Sequence, residues 1–562
     1  MSEKQVKSQR AKVKSQKCAR GGCAGFAFLF FLAASLLRAG VSEAMAPMRD
    51  GVQLATNIIL PAGAGPWPVV LSRTPYGKDR GGDPARAEAE YTAAGYARVV
   101  QDCRGRFKSQ GRYRAFLDDL EDGYDTIEWI ARQPWSNGKV GMVGGSALGI
   151  TANLTAMSGA PHLVCAFISV AHAGSYRYAA FPGGVFLQNL NEEWLKRQGV
   201  EPEKAPRPIH RVYDDHYRRV DMRNYYAKVT APFVNVAGWY DIFSQAGIDN
   251  FAGLQAQGAG AARGNQKLVL GAFGHGPLSG DLKYPADAAD RGSGLRMRWF
   301  EHWLKGVDNG VTREPAVRYY VMGDTRDPKA PGNHWRTASS WPPESKITPY
   351  YLHPERKLSA QKPGAGGGRD TYTYDPQNPV PTAGGNNLMM ARGPMDQRAA
   401  SGRPDVLAYE TPPLEQPVEI AGQVTARLYV STDAEDTDFM VKLVDVYPNG
   451  YQALVLDQAF RLRYHQGFEK FSKVERNQVY SIDVDLWSTA LVFNRGHKIA
   501  VHVASSNAPR FEPHSNTWLP VDSYAQAVKA ANSVYHDSER PSALLLPVTR
   551  VYPVAPAITG AQ

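Results

Sequence analysis

Three residue types that together can transfer an acyl group each follow an apolar run in this chain. Ser146 lies in "VGMVGGSALGI" (Val140–Ile150), Asp241 follows "FVNVAGWY", and His275 follows "LVLGAFG". A serine hydroxyl is a weak nucleophile alone; it needs an imidazole to take its proton and a carboxylate to hold that imidazole. The order serine, acid, histidine, each on a loop after a successive buried strand, is that of an α/β-hydrolase triad. His275 stands between two glycines, which is hard to reconcile with a packed core histidine. His162, His302 and His502 sit in apolar or helical surroundings and read as structural. Asp102 also ends a strand-like run, but it precedes the serine and fits the order poorly.

The stretch around Ser146 has two other readings. Gly144 and Gly149 have the glycine spacing of a phosphate loop, but Ile150 stands where lysine must neutralise the phosphates. A plain glycine-rich strand-to-helix turn is the other. The usual nucleophile elbow is G-x-S-x-G; here Leu148 holds the fifth position and glycine arrives one residue late. Strand and helix cross closely at an elbow. Gly144 meets that need, and Gly149 meets it one helical residue later if Leu148 turns into the core. An acyl-transfer site also needs donors for the developing oxyanion. The N–H of Ala147, directly after the serine, is one; the phenol of Tyr76 in "SRTPYGK" is the other, unless it only plugs its loop.

Strand-like runs over residues 52–101, a helical period in "DDLEDGYDTIEWIARQ", the strand "KVGMVGG" and the helical "ALGITANLTAMSG" alternate as in an α/β fold with a parallel sheet. Residues 173–229, rich in Tyr, Arg and Asn with patches such as "LQNLNEEWLKRQG", interrupt the rhythm and read as a helical cap. Two more buried strands and the helix "LRMRWFEHWLKG" follow. From Pro315 β-like runs dominate, including "VRYYVM". The expected division is a leader over 1–46, an α/β-hydrolase domain over 47–172 and 230–312 with the cap at 173–229, and an all-β jelly roll over 313–562.

The chain has 562 residues and a net charge of +10. Residues 1–46 hold eight Lys/Arg against two Glu, a balance of +6, so the remainder carries only +4. That excludes a nucleic-acid footprint. Within the leader, basic residues precede about 14 apolar ones (Ala24–Leu37) and small residues in "VSEAMA", the order of a secretory signal. Cleavage is expected near Ala44 or Ala46, with a secreted or periplasmic product; an uncleaved membrane anchor stays open, as does a homodimer. Of four cysteines, Cys103 and Cys165 lie outside the leader and allow one disulfide. Nothing calls for a cofactor or a metal. The acidic loop "DAEDTD" (Asp433–Asp438) offers calcium ligands but lacks the glycine of an EF-hand.

The series "PMRDGVQLA", "RTPYGK", "QDCRGRFKSQG", "EDGYDTIEWIARQPWSNGKVGMVGGSALG", "AGWYD" and "GHG" resembles the cocaine esterase (CocE/NonD) hydrolases, related to X-prolyl dipeptidyl peptidases and α-amino acid ester hydrolases. "DTDFMVKLVDVYP", "RGHKIAVHVASSN" and "PHSNT" resemble that family's C-terminal jelly roll. The family spells its elbow G-x-S-Y-x-G, so the late Gly149 is its own spacing. The resemblance implies Ser146 as nucleophile, His275 as base, Asp241 as its orienting acid, and Tyr76 with the Ala147 amide as oxyanion hole, acting on a small ester or amide. It implies Phe243 as a wall of the acyl pocket, with Phe181 and Phe186 in the cap as further wall candidates. Ala147 departs from the family's tyrosine, which leaves a catalytically dead binding protein as the rival reading. A peptidase or amino acid ester hydrolase would need carboxylates for a substrate ammonium, for which Asp214 and Asp215 are the candidates. If cleavage falls at Ala46, the family's first strand is lost.

Overall fold

The computed structural model describes residues 41–199, 211–365, 368–518 and 526–553. Its first half is a ten-stranded sheet. The strands in chain order are β1 (Val41–Pro47), β2 (Gln53–Ile59), β3 (Trp67–Thr74), β4 (Ala97–Asp102), β5 (Ser136–Gly145), β6 (Leu163–Ser169), β7 (Phe233–Tyr240), β8 (Lys267–Gly274), β9 (Val317–Val321) and β10 (His334–Ala338). They lie in the order β1-β2-β4-β3-β5-β6-β7-β8-β9-β10, parallel from β4 through β9 and antiparallel at both edges. The central strands β7 and β8 are buried along their whole length, as their unbroken apolar spelling requires when helices cover both faces.

Alternation along β3 sorts its side chains. Val69 and Leu71 face helices α1 (Asp119–Ala131) and α2 (Ala147–Met157), whereas Val70 faces α5 (Leu295–Lys305). A cap fills the chain between β6 and β7 and includes helix α3 (Gln188–Arg197). After β7 comes α4 (Ser244–Gln257). The second half is an eleven-stranded, mostly antiparallel β domain in which long strands such as Val418–Thr432 and Tyr480–Phe493 pair along most of their length. Its core is continuous with the hydrolase sheet: Trp239, Tyr319 and Met322 pack in one apolar cluster with Trp341, Ile420 and Leu491. Among the described residues no helix is long and apolar enough to cross a membrane.

Two expected boundaries move. Val41–Pro47, placed in the expected leader, forms the edge strand β1, paired over seven residues with β2, and Ala46 is fully buried. Its small residues, read as a cleavage site in the sequence, also suit a strand packed on α1. Val317–Val321 is not jelly roll but β9, parallel to β8, and β10 extends the hydrolase sheet to Ala338. A β spelling does not reveal which sheet a strand joins. The apolar run of the expected leader lies outside the described residues. Cys103 and Cys165 are both buried and unpaired, so the disulfide is absent. In the acidic loop, Asp436 and Asp438 are fully buried against Arg463 with His514 and against Arg461, and among the described residues no group of three or more ligating side chains is placed to hold a metal ion.

Candidate active site

Ser146 sits between β5 and α2 with φ 55° and ψ −127°, a backbone that a non-glycine residue adopts only under strain. The neighbouring glycines are steric requirements. A Cβ on Gly144 would run into the backbone carbonyl of Leu148, and one on Gly149 would lie 2.6 Å from the Ala171 Cβ. The late glycine therefore serves the crossing of α2 with the chain leaving β6. Leu148 is half-buried rather than a core residue.

This turn aims the Ser146 Oγ at His275 Nε2, 2.8 Å away, and His275 Nδ1 lies 2.7 Å from Asp241 Oδ2. His275 follows β8 and Asp241 follows β7, so the carboxyl edge of the sheet delivers all three groups. The glycines flanking His275 admit Arg392 from the second domain, which packs where their side chains would be. Asp241 is fully buried; its other oxygen accepts the Phe243 N–H at 2.8 Å, which fixes the carboxylate for the imidazole. Asn386, also from the second domain, donates to the carbonyls of Trp239 and Asp241 at 3.1 and 2.7 Å and pins the acid loop. Neither Asn386 nor Arg392 carries a local motif.

The Tyr76 hydroxyl accepts the Trp194 indole N–H at 3.1 Å and lies beside Ser146. Burial pushes its phenol above the ordinary value, against the Trp194 and Ser146 hydrogen bonds and the Arg80 charge, so it is a neutral donor at pH 7. The Asp102 carboxylate accepts the Lys78 N–H at 2.6 Å and so holds the Tyr76 loop. Ala147 is the first residue of α2, where N–H groups have no intrahelical acceptor. Its small side chain forms part of the cavity wall.

The serine opens into a cavity of about 260 Å³. Ile150, Phe243, Phe116 and Leu388 line it, and α3 contributes Leu190, Asn191, Trp194 and Leu195, one face of that helix. Phe243 lines it as expected. Phe181 and Phe186 do not: they pack 5.6 Å apart inside the cap with Tyr176 and Tyr217, because the cap needs its own core. Asp214 caps its own short helix by accepting the His216 N–H, and Asp215 is almost wholly solvent-exposed against Arg218. Among the described residues lining the cavity there is no Asp or Glu. Trp194, Phe116 and His172 went unnoticed in the sequence; the helical spelling of α3 was visible, but not which face looks inward.

Two family models match. Residues 50–211 match the X-Pro dipeptidyl-peptidase (S15 family) model, and 309–545 match the X-Pro dipeptidyl-peptidase C-terminal non-catalytic domain. The chain is 32% identical over 581 residues to the cocaine esterase of Rhodococcus sp. (strain MB1 Bresler), covering 91% of this chain and 98% of that one. Among solved structures it is similar to an α-amino acid ester hydrolase (28% identity, TM-score 0.75, covering 90% of this chain and 96% of that one). It is also similar to an aminopeptidase from a marine sediment Thaumarchaeota archaeon (26% identity, TM-score 0.79, covering 94% and 99%). With the serine–histidine–aspartate geometry intact, these similarities establish that the chain belongs to the cocaine esterase (CocE/NonD) family, serine hydrolases of the α/β-hydrolase fold that act on esters or amides.

Proposed function

We propose that the chain is a carboxylic ester hydrolase that works through an acyl-enzyme on Ser146. The observation that carries this reading is the continuous hydrogen-bonded line from Ser146 Oγ through His275 to Asp241, opening into an apolar cavity. As Oγ attacks the ester carbonyl, its proton passes to His275 Nε2 while Asp241 holds the Nδ1–H and offsets the imidazolium charge. The carbonyl oxygen becomes an oxyanion held by the Tyr76 hydroxyl and the Ala147 N–H. His275 returns the proton to the departing alkoxide. Water then repeats the sequence on the acyl group and frees the serine.

The lining favours esters without a free ammonium over Xaa-Pro dipeptides or amino acid esters, since no described carboxylate faces the cavity. The test is hydrolysis of p-nitrophenyl esters with labelling by a fluorophosphonate. Ser146→Ala is expected to abolish both; a variant as active as the parent would sink the assignment. Comparing a free with an N-acylated amino acid ester tests the second part, and preference for the free amine would overturn it. The basic and apolar leader further points to export, to the periplasm or beyond the cell.

A further inference from the structure

The chain leaving β6 is strained. Val170, a β-branched residue, has φ 46°, a region that L side chains avoid, and its N–H is tied to the Val236 carbonyl at 2.8 Å. The next residue, Ala171, occupies the space left by the missing side chain of Gly149. This tight passage delivers His172 to the cavity wall, where Asn153 fixes its carbonyl at 3.0 Å. The imidazole stands edge-on to Phe243 at 4.8 Å and to Phe116 at 6.3 Å, and Phe243 in turn stands edge-on to His275 at 5.8 Å.

The ring's Nδ1 is buried and has no hydrogen-bond partner among the described residues. Buried polar atoms in a settled core are nearly always paired, so a ring nitrogen left unpaired at a cavity wall awaits a partner from the ligand. Burial lowers its pKa to about 4, so at neutral pH it presents one N–H donor and one nitrogen acceptor without charge. No described Asp, Glu, Lys or Arg lines the cavity, and the Asn191 amide nitrogen is committed to the carbonyls of Ala179 and Leu187.

We propose that His172 is a specificity-determining residue that reads one neutral hydrogen-bonding group, a hydroxyl, amide or carbonyl, carried by the ester substrate besides its scissile carbonyl. This rests on the ester-hydrolase reading above. It deepens that reading from esters without a free ammonium to esters bearing one uncharged polar substituent near the reacting carbon.

Two ester pairs that differ by one hydroxyl test it on the full chain: p-nitrophenyl phenylacetate against mandelate, and 3-phenylpropanoate against 3-hydroxy-3-phenylpropanoate. A site built to bond a polar group discriminates against the analogue lacking it. The parent is expected to favour the hydroxylated member of at least one pair by about tenfold in kcat/KM. In His172→Phe that ratio should collapse toward one, and His172→Gln, which keeps a donor and an acceptor, should recover part of it. Melting curves and fluorophosphonate labelling verify that each variant is folded, and His172→Gln carries the comparison if His172→Phe is not. If the esters are hydrolysed at ratios indifferent to residue 172, or the parent favours neither hydroxylated ester, this inference fails and the ester-hydrolase reading stands. If no ester is hydrolysed and Ser146 is not labelled, both fall.

Discussion

The Trp194 indole N–H donates to the Tyr76 hydroxyl at 3.1 Å, across the boundary between cap and hydrolase domain. That bond occupies an acceptor site of the phenol and leaves its proton available for the developing oxyanion. Tyr76→Phe is expected to lower kcat about 10²–10³-fold, the usual cost of losing an oxyanion donor. Trp194→Phe should lower it about tenfold by freeing the hydroxyl to rotate. Measured in the Tyr76→Phe background, Trp194→Phe should then have little further effect on kcat. Additive losses would mean that Trp194 acts on the substrate alone.

The elbow makes a steric prediction. A side chain at Gly149 meets the Ala171 Cβ, whereas one at Gly144 meets backbone that cannot yield. Gly149→Ala should therefore slow fluorophosphonate labelling at least about tenfold and lower stability by about 1–3 kcal/mol. The double variant with Ala171→Gly should recover most of both. Gly144→Ala should abolish labelling, with no single substitution elsewhere restoring it. Failure of Ala171→Gly to rescue would show that the clash lies elsewhere.

These positions show why the sequence was readable in some places and not in others. Ser146, Asp241, His275 and Tyr76 each lie within a few residues of a strand end, so local apolar spelling and turn residues locate them. The late Gly149 was legible as a requirement, but its partner Ala171 became visible only once β6 lay beside β5. Phe181 and Trp194 belong to the same cap, and which of them faces the cavity depends on how its helices dock. β9 carries ordinary strand spelling, and only long-range pairing assigns it to the first sheet. Asn386 and Arg392 act from more than a hundred residues beyond the acid and histidine they support, where no spacing rule reaches.

Two buried histidines predict acid sensitivity. Burial lowers His172 to about 4, and burial with the neighbouring Lys442 charge lowers His502 to about 3. An unfolded histidine takes up its proton near pH 6.5, so below that value the unfolded state binds more protons and stability falls as pH falls. The loss should begin near pH 6.5 and continue toward pH 4, reaching at most about 2 kcal/mol per histidine at pH 5. His497 is raised, since Asp445 and Asp324 outweigh its burial. Its contribution is full below about 6.5 and is lost as pH rises through its folded value, so the two effects occupy separate windows. Urea midpoints from pH 4.5 to 7 should show a shallower slope in His502→Leu than in the parent. Equal slopes would mean that His502 is already protonated in the folded state.

The strand β1 sets a limit on where the proposed leader could be removed. Glu43 on that strand lies 2.5 Å from the Lys78 ammonium, whose side chain is fully buried beside the loop that carries Tyr76. Asn57 and Asp79 also hold that ammonium, but losing Glu43 leaves a buried charge less compensated, which is costly. Cutting at Ala46 would also strip the pairing of β2 and uncover Leu54 and Met48, which pack on Ala46. A chain beginning at residue 41 is therefore expected to keep the parent's melting temperature and ester hydrolysis. One beginning at residue 47 should melt at least about 3–6 °C lower and lose activity as the Tyr76 loop loosens. If the leader is cleaved as proposed, N-terminal sequencing of the mature protein should accordingly find a start at or before Val41. A mature, active product starting at Pro47 would show that β1 is dispensable and that Asp102, Asn57 and Asp79 suffice to hold the loop.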